Sequence, residues 1–234
     1  MLKQLKEEVC AANLQLVKFH LVTLTWGNAS AISRSEGLVV IKPSGVAYEN
    51  SKPDDMVVVD LSGNVVEGNL RPSSDTPTHI ELYKAFPEIG GVAHSHSEYA
   101  TIFAQARREI PCFGTTHADT FYGNVPVTRL LKKNEVEKDY ELNTGKVIVE
   151  RFKKLDPRAI PGVLVGGHAP FTWGKNATEA VQNNLILETI AGMAMHSLAL
   201  NQKLKPLPDY ILKKHYLRKH GPGAYYGQNK HKGK

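Results

Sequence analysis

Short apolar runs, separated by stretches that contain glycine or proline, recur along this chain of 234 residues. The clearest of them cover residues 38–41, 56–61, 89–93 and 162–166. Runs of this length between turn-forming residues predict buried strands. Ser62-Gly63-Asn64 separates the second run from Val65-Val66, which is the pattern of a β-hairpin. Because hairpin-linked strands pair antiparallel, the sequence predicts a mixed or antiparallel sheet.

Helical patterns alternate with these runs. Apolar residues spaced three and four apart between residues 2 and 20 predict an amphipathic helix. Capping residues and prolines indicate further helices at about 76–86, 97–107, 176–200 and 208–219. We interpret 114–127 as a loop with short strands, and 146–154 as a strand and a helix fragment. Since strands and helices alternate without a repeat or linker, we predict one α/β domain.

Charge and composition exclude several classes of function. Lys and Arg outnumber Asp and Glu by 29 to 23, but they are not interleaved with aromatic residues as on a nucleic-acid-binding surface. No stretch approaches the roughly 20 apolar residues that cross a bilayer, and the charged N-terminus is unlike a signal peptide. Cys10 and Cys112 are too few and too far apart to predict a disulfide framework. We therefore expect a cytoplasmic enzyme with neither nucleic-acid nor membrane partners.

Three histidines at the ends of apolar runs form a candidate metal site. His94 and His96 follow the run 89–93, and alternate residues of a strand point to the same face. His168 follows the run 162–166. Three protein ligands leave one coordination position of a zinc ion open, which is the arrangement of catalytic zinc. Asp75 precedes a predicted helix, and is either a fourth ligand or acid–base group, or simply the helix N-cap.

Three segments rich in small and polar residues are candidate anion-binding loops. They are Gly27-Asn28-Ala29-Ser30, Lys42-Pro43-Ser44-Gly45 and Pro72-Ser73-Ser74-Asp75. Small residues let backbone N–H groups approach a phosphate, and Lys42 would add positive charge. The same residue types also form ordinary turns, so each loop alone is weak evidence.

These segments, in this order, resemble the L-ribulose-5-phosphate 4-epimerase branch of the class II, zinc-dependent aldolase superfamily. The resemblance covers residues 1–228, which we expect to be one domain, and leaves 229–234 as a basic tail that we expect to be disordered. It is carried by the stretches 24–28, 41–45, 72–79, 94–96, 114–119, 161–168, 173–176, 215–221 and 224–228.

The resemblance implies a fold, an assembly and an activity. The fold is a central, mainly antiparallel sheet flanked by helices, assembled as a homotetramer with active sites between subunits. The activity is the interconversion of two phosphorylated ketopentoses, L-ribulose 5-phosphate and D-xylulose 5-phosphate, in pentose catabolism. It would proceed by metal-assisted retro-aldol and aldol steps at the C3–C4 bond. The implied cofactor is one Zn²⁺ per subunit, with Mn²⁺ or another divalent ion as an alternative.

The resemblance also assigns roles to residues. It implies that His94, His96 and His168 bind the metal with help from Asp75. A further group would hold the substrate and its phosphate: Gly27, Asn28, Lys42, Ser44, Gly45, Ser73 and Ser74. Asp119 and Tyr226 would reach in from an adjacent subunit as acid–base groups, supported by Thr115 and Glu141. From the pattern alone, Asp119 is a loop or capping residue, and Tyr225-Tyr226 packs at an interface.

Two positions distinguish this chain within the superfamily. Fuculose- and rhamnulose-phosphate aldolases carry a glutamate where Asp75 stands, so the shorter side chain favours the epimerase. Gly166-Gly167 replaces bulkier polar residues before His168, and we expect a looser ligand loop there. The alternatives are a sugar-phosphate aldolase of the same superfamily and a non-catalytic scaffold domain. The second would be expected to lack the three histidines.

Overall fold

The computed structural model describes residues 2–226, and its secondary structure follows the alternation expected from the sequence. The described helices are α1 (Lys3–Lys18), α2 (Thr76–Ala85), α3 (Glu98–Gln105), α4 (Thr115–Ala118), α5 (Lys133–Phe152), α6 (Ala177–Leu200) and α7 (Asp209–His220). The described strands are β1 (Asn28–Ser33), β2 (Leu38–Ile41), β3 (Val57–Asp60), β4 (Val65–Glu67), β5 (Gly91–His94), β6 (Gly162–Leu164) and β7 (Pro170–Gly174). Short 3-10 turns occur at Tyr48–Asn50 and Pro53–Asp55.

The seven described strands form one sheet in the order β4-β3-β2-β1-β5-β7-β6. All neighbouring strands of this sheet pair antiparallel. The predicted fold class, an antiparallel sheet flanked by helices, is therefore confirmed. The hairpin predicted around Ser62-Gly63-Asn64 joins β3 and β4, where the Asp60 carboxylate accepts hydrogen bonds from the Ser62 and Asn64 amides.

Alternation along the central strands divides the core between the two faces of the sheet. On one face, residues such as Val39, Val59 and Val92 belong to a cluster completed by side chains of α2, α3 and α5. On the other face, Val40, Val58 and their neighbours meet α1 and the first turns of α6. Because each central strand is covered on both sides, its apolar run is continuous rather than alternating with polar residues.

Polar contacts attach α1 to the centre of this sheet. The buried Asn13 amide group donates to the Ala29 carbonyl at 3.0 Å, and its Oδ1 accepts from the Ala29 N–H at 2.9 Å. These bonds pair the backbone of Ala29 on the side that faces α1. They also fix the position of Ala29, which is the neighbour of Asn28 at the start of β1.

The structure corrects three local expectations. The segment Gly27–Ser30 is not a loop, because β1 begins at Asn28 and Ser30 is buried in the sheet. Of the strand and helix fragment predicted over residues 146–154, the strand is wrong, because 146–152 form the end of α5. Residues 114–127 include the short helix α4. In α5 and α4 the buried face is short, so the local spacing of apolar residues indicates a helix only weakly.

Other boundaries were predicted closely. The Asn176 side chain caps α6 by accepting a hydrogen bond from the Glu179 N–H at 2.8 Å. Helix α7 ends at Gly221, as the Gly221-Pro222-Gly223 motif indicated. None of the described helices is long and apolar enough to span a bilayer. The end of the predicted domain at residue 228 and the basic tail 229–234 lie outside the described residues.

Candidate active site

Three imidazole rings lie at the corners of a nearly equilateral triangle. The ring centroids are 4.9 Å apart for His94–His96 and 5.0 Å apart for His94–His168 and His96–His168. Each ring offers a nitrogen to a group whose ligand atoms all lie within 4.8 Å of one another. The convergence predicted from two separate strand ends is therefore present in the structure.

The backbone at the end of β5 turns His94 and His96 to the same side. Ser95 between them points away from the triangle, and its hydroxyl donates to Asn184 Oδ1 of α6 at 2.7 Å. Asn184 Nδ2 donates to the Thr172 hydroxyl at 3.2 Å, and that hydroxyl donates to the Ala180 carbonyl. This chain of buried hydrogen bonds connects β5, β7 and α6. It holds the residue between the two histidines, and with it the alternation that aims both rings.

His94 is oriented by its neighbours on β7. Its Nδ1–H donates to the Pro170 carbonyl at 2.9 Å, and its ring stacks on Phe171 with centroids 4.1 Å apart. The bond at Nδ1 fixes the tautomer and leaves Nε2 as the unprotonated nitrogen, which faces the other two rings, as in metal-ligating histidines. Burial lowers the pKa of His94, and it lowers the pKa of His168 to about 4. Both rings are therefore neutral near pH 7, which is the form that binds a metal.

The turn that carries His168 is fixed by hydrogen bonds, which corrects the expectation of a loose loop. The Gly166 N–H donates to the Thr128 hydroxyl at 3.0 Å, and the Gly167 N–H donates to the Ala104 carbonyl at 2.8 Å. A Cβ on Gly166 would lie 2.8 Å from the Thr128 carbonyl oxygen, and Gly167 has φ +73°. The two glycines are thus what allows this turn to pack closely against its neighbours.

The three histidines fit a divalent transition metal. The Nε2 atoms of His94 and His96 are 3.2 Å apart. Two nitrogens that bind one zinc ion at ~2.0–2.1 Å with tetrahedral angles would be about 3.3–3.4 Å apart. The observed separation matches this spacing, and the donor set of neutral imidazoles suits zinc and several neighbouring divalent ions.

Asp75 lies in the same cavity, at the position that precedes α2. It occupies the N-cap position, but its side chain makes no capping hydrogen bond. Its Oδ2 instead accepts a hydrogen bond from Asn28 Nδ2 at 2.7 Å. Burial would raise the pKa of Asp75, but the nearby His94 and His79 and the Asn28 amide outweigh burial and lower it. The carboxylate is therefore ionised, and it faces the site rather than the helix.

A cavity of about 500 Å³ joins the histidine triangle to the three predicted loops. Its lining includes every substrate-binding and metal-binding residue predicted from the sequence, together with Glu141. These residues are Gly27, Asn28, Lys42, Ser44, Gly45, Ser73, Ser74, Asp75, His94, His96 and His168. The cavity thus has candidate metal-binding residues at one part of its wall and hydroxyl and ammonium groups at another.

The two loops that carry the hydroxyl groups are joined by backbone pairing. Pro43 and Pro72 form an isolated antiparallel bridge. The Ser44 N–H donates to the Arg71 carbonyl at 2.9 Å, and the Ser73 N–H donates to the Lys42 carbonyl at 3.0 Å. The Lys42 side chain is buried, and burial lowers its pKa. A buried ammonium group such as that of Lys42 is stabilised by an anion that enters the cavity.

Comparison with known proteins identifies the family of this chain. Residues 7–195 match the family described as the class II aldolase and adducin N-terminal domain. The chain belongs to this class II aldolase family.

Related proteins of this family match nearly the whole chain. It is 56% identical to the L-ribulose-5-phosphate 4-epimerase UlaF of Salmonella paratyphi B over 227 residues, which are 97% of this chain and 100% of that protein. An L-fuculose 1-phosphate aldolase structure superimposes with a TM-score of 0.79 at 26% identity, covering 93% of this chain and 96% of the other. The L-fuculose-1-phosphate aldolase of Thermus thermophilus, at 21% identity and a TM-score of 0.67, shares the fold over 87% of this chain and 99% of its own.

The remaining predicted residues of this class II aldolase chain lie elsewhere. Asp119 follows α4 and is held by α7: Arg218 Nη2 lies 2.7 Å, His215 Nδ1 3.1 Å and Lys219 Nζ 3.3 Å from its carboxylate. Burial raises the pKa of Asp119, but hydrogen bonds from Arg218 and His215 outweigh this and lower it. The Tyr226 ring lies 4.3 Å from Lys219 Nζ. Asp119 and Tyr226 therefore share one cluster, outside the histidine cavity of their own chain.

Thr115 and Glu141, the two supporting candidates, are placed differently. Thr115 is exposed at the start of α4 and does not line the histidine cavity. Glu141 lies on that cavity, and its backbone carbonyl accepts a hydrogen bond from Thr78 Oγ1 at 2.5 Å. The contact attaches α5 to α2 beside Asp75.

Sequence reasoning missed two tyrosines at the site. Tyr140 lines the cavity, and its hydroxyl oxygen lies 3.4 Å from His168 Nδ1. It follows a break in α5, where Asp139 has φ −144° and ψ 67°. Tyr48 lies behind the loops, in contact with Lys42 and Gly27. Neither has a recognisable local motif, since both reach the site through contacts between distant parts of the chain.

Proposed function

We propose that this chain is an L-ribulose-5-phosphate 4-epimerase, which interconverts L-ribulose 5-phosphate and D-xylulose 5-phosphate. The observation that carries the proposal is the cavity whose wall combines three converging imidazoles with a buried lysine and several hydroxyl groups. The similarity to UlaF along nearly the whole chain supports the substrate, since that relative is named for this reaction.

His94, His96 and His168 would hold a divalent metal, with Asp75 beside them as a further oxygen donor. When bound, the metal would supply Lewis-acid polarisation of substrate oxygens and so favour cleavage and re-formation of the C3–C4 bond. We propose Zn²⁺ as the resident ion. Mn²⁺ is the alternative, since histidine nitrogens and a carboxylate suit both.

The opposite part of the cavity would hold the phosphate. Lys42 supplies a buried positive charge, and Ser44 and Ser73 are brought together by the backbone bridge between their loops. Asn28 connects the phosphate end of the cavity to its metal end, because its amide group donates to the Asp75 carboxylate at 2.7 Å. By keeping the phosphate fixed, these residues would retain the cleaved two-carbon fragment while its carbonyl face turns.

We propose a homotetramer in which Asp119 and Tyr226 complete the cavity of a neighbouring subunit as acid–base groups. Two observations support this assignment. Neither residue lines the histidine cavity of its own chain. Helix α7, which holds Asp119, has no fully buried side chain within one chain, as suits an element that packs between subunits. We further propose that residues 1–228 form one domain and that the enzyme works in the cytoplasm.

An aldolase of the same family is the second candidate, since an L-fuculose 1-phosphate aldolase shares the fold at a TM-score of 0.79. Product analysis distinguishes the two. The purified protein, incubated with L-ribulose 5-phosphate, is expected to form D-xylulose 5-phosphate without accumulation of glycolaldehyde phosphate. Fragments in place of the epimer would favour the aldolase.

The metal is tested on the same reaction. We expect that chelation abolishes turnover and that zinc or manganese restores it. We expect His94→Asn to remove bound metal and activity together, while His196→Asn, at a histidine that contacts only Tyr99 among the described aromatic rings, retains both. Full turnover by protein shown to be metal-free would exclude the proposed chemistry.

A further inference from the structure

Tyr48 is buried behind the phosphate end of the cavity, with 3% of its surface exposed. The single proton of its hydroxyl is shared between the Gly27 carbonyl oxygen at 2.8 Å and the Trp26 carbonyl oxygen at 3.0 Å. Its ring lies 4.7 Å from the ammonium group of Lys42. One side chain therefore touches two parts of the cavity wall that are 15 or 16 positions apart in the sequence.

The contact with Lys42 supplies a second partner for a buried cation. Among the described residues, the hydrogen-bond acceptor that the Lys42 ammonium reaches is the Pro43 carbonyl, at the long distance of 3.3 Å. An aromatic ring face attracts a cation electrostatically, and more strongly where water is excluded. The ring of Tyr48 thus restrains the ammonium from behind, and the remaining N–H groups of Lys42 are available to an anion in the cavity.

The hydroxyl of Tyr48 holds Trp26 and Gly27 from one side, and the opposite side of this segment is packed closely against its neighbours. Gly27 has φ +83°, and a Cβ at this position would lie 2.7 Å from the His94 carbonyl oxygen. The segment is therefore held between Tyr48 and the end of β5. In a trans peptide the C=O and N–H bonds point in opposite directions. Since the Trp26 carbonyl points to Tyr48, the Gly27 N–H points away from it.

We propose that Tyr48 is a positioning residue for phosphate recognition, acting through Lys42 with its ring and through Gly27 with its hydroxyl. It does not line the cavity and does not touch the substrate. Its effect is to hold the Lys42 ammonium group and residues Trp26 and Gly27, which directly precede β1, in a fixed arrangement before the phosphate binds. The identity of the substrate comes from the proposed function, but the effect on inorganic phosphate does not depend on it.

The test compares two substitutions at this position. Tyr48→Phe keeps the ring over Lys42 and removes the hydroxyl, whereas Tyr48→Leu removes both contacts. We expect the Kd for inorganic phosphate, measured by titration calorimetry, to rise roughly three- to tenfold in Tyr48→Phe, as for loss of one or two hydrogen bonds. In Tyr48→Leu we expect a rise of more than about tenfold, because the cation–π contact is also lost. For L-ribulose 5-phosphate, KM should rise more than kcat falls.

Tyr83→Phe is the matched control. Tyr83 is also fully buried, its hydroxyl also forms a hydrogen bond, to Ser30 Oγ at 2.8 Å, and it does not line the cavity. It should leave the Kd for phosphate unchanged even if it lowers Tm. If Tyr48→Leu fails to fold, the Kd of Tyr48→Phe for inorganic phosphate tests the proposal by itself.

A wild-type Kd for phosphate in folded Tyr48→Phe, or an equal loss in Tyr83→Phe, would overturn the proposal. Failure of the proposed function has a different signature. In that case the wild-type protein would not epimerise L-ribulose 5-phosphate, while the phosphate titrations would still report on Tyr48.

Discussion

Tyr140 contacts one of the proposed metal ligands, His168, through its hydroxyl group. Its hydroxyl oxygen lies 3.4 Å from His168 Nδ1. With Nδ1 turned to Tyr140, Nε2 is the nitrogen left to bind a metal. Groups that orient ligating histidines typically contribute about 10–100-fold to metal affinity. Because this contact is long, we expect Tyr140→Phe to weaken zinc binding by several-fold to about tenfold, measured by competition with a chromogenic chelator.

Tyr122→Phe is the control for this prediction. Tyr122 is partly exposed and its ring contacts Tyr216, away from the histidines. We expect its zinc affinity to equal that of the wild type. Equal affinities in all three proteins would show that Tyr140 does not orient His168.

At the scale of single residues, the sequence predicted the convergence of the three histidines but not the side chains that support them. His94 and His96 follow from the two-residue period of a strand, which is local information. The tyrosines do not: Tyr48 reaches Gly27 across 21 positions, and Tyr140 reaches His168 across 28. Contacts between such distant positions depend on how the elements pack, and no local pattern encodes them.

Gly91 shows how closely β5 packs against the start of α6. A Cβ at this residue would overlap the backbone carbon and oxygen of Asn176. Since backbone atoms cannot yield as a flexible side chain can, we expect Gly91→Ala to lower the free energy of unfolding by about 1–3 kcal/mol or more. The same displacement should disturb His94, at the other end of this four-residue strand. Urea unfolding and zinc titration measure the two effects.

Gly114→Ala provides the comparison. A Cβ there meets nothing within 4 Å, and Gly114 has an ordinary extended conformation with φ −140°. We expect its unfolding free energy to remain close to that of the wild type. A similar stability for both variants would mean that β5 and α6 can separate without cost.

Whether an element was predicted depended on how its buried side chains were spaced. The strands β2, β3, β5 and β6 were found because their apolar runs are continuous. Strand β1 was missed because its buried residues, Asn28-Ala29-Ser30-Ala31, are small or polar and look like a loop. Helix α5 was predicted only as a helix fragment beside a strand within 146–154, because its first half is exposed and its buried residues, such as Val147 and Ile148, resemble a strand. In each case tertiary packing determined the structure where the local pattern was ambiguous.

At the scale of the whole molecule, the predicted fold and cavity agree with the structure, while the proposed assembly does not follow from one chain. The loops 42–45 and 72–75 and the three histidines meet because the antiparallel sheet brings β1, β2 and β5 side by side. The cluster of Asp119 with Arg218 and Lys219 has no such constraint from the sheet. Its proposed role requires a second subunit, which is why the sequence pattern alone left Asp119 as a loop or capping residue.

Buried histidines give the whole molecule a defined sensitivity to acid. Burial lowers the pKa of His117 to about 4 and that of His79 to about 3. In the unfolded chain a histidine titrates near 6.5. The unfolded state therefore binds more protons at mildly acidic pH, so stability is fully present above about pH 6.5 and is lost as the pH falls towards 4. At most about 1.4 kcal/mol is lost per pH unit for each such histidine.

His117 isolates one of these contributions. Its Nε2–H donates to the Gly123 carbonyl at 2.8 Å, a bond that the amide of His117→Gln can retain without titrating. We expect the free energy of unfolding of chelator-treated protein, measured in urea between pH 7.5 and 5, to fall less steeply in His117→Gln than in the wild type. The difference in slope should approach one proton below pH 6, because the native histidine stays neutral there. Parallel slopes in the two proteins would mean that His117 is protonated in the native state over this pH range. Its burial would then make no contribution to the loss of unfolding free energy in acid.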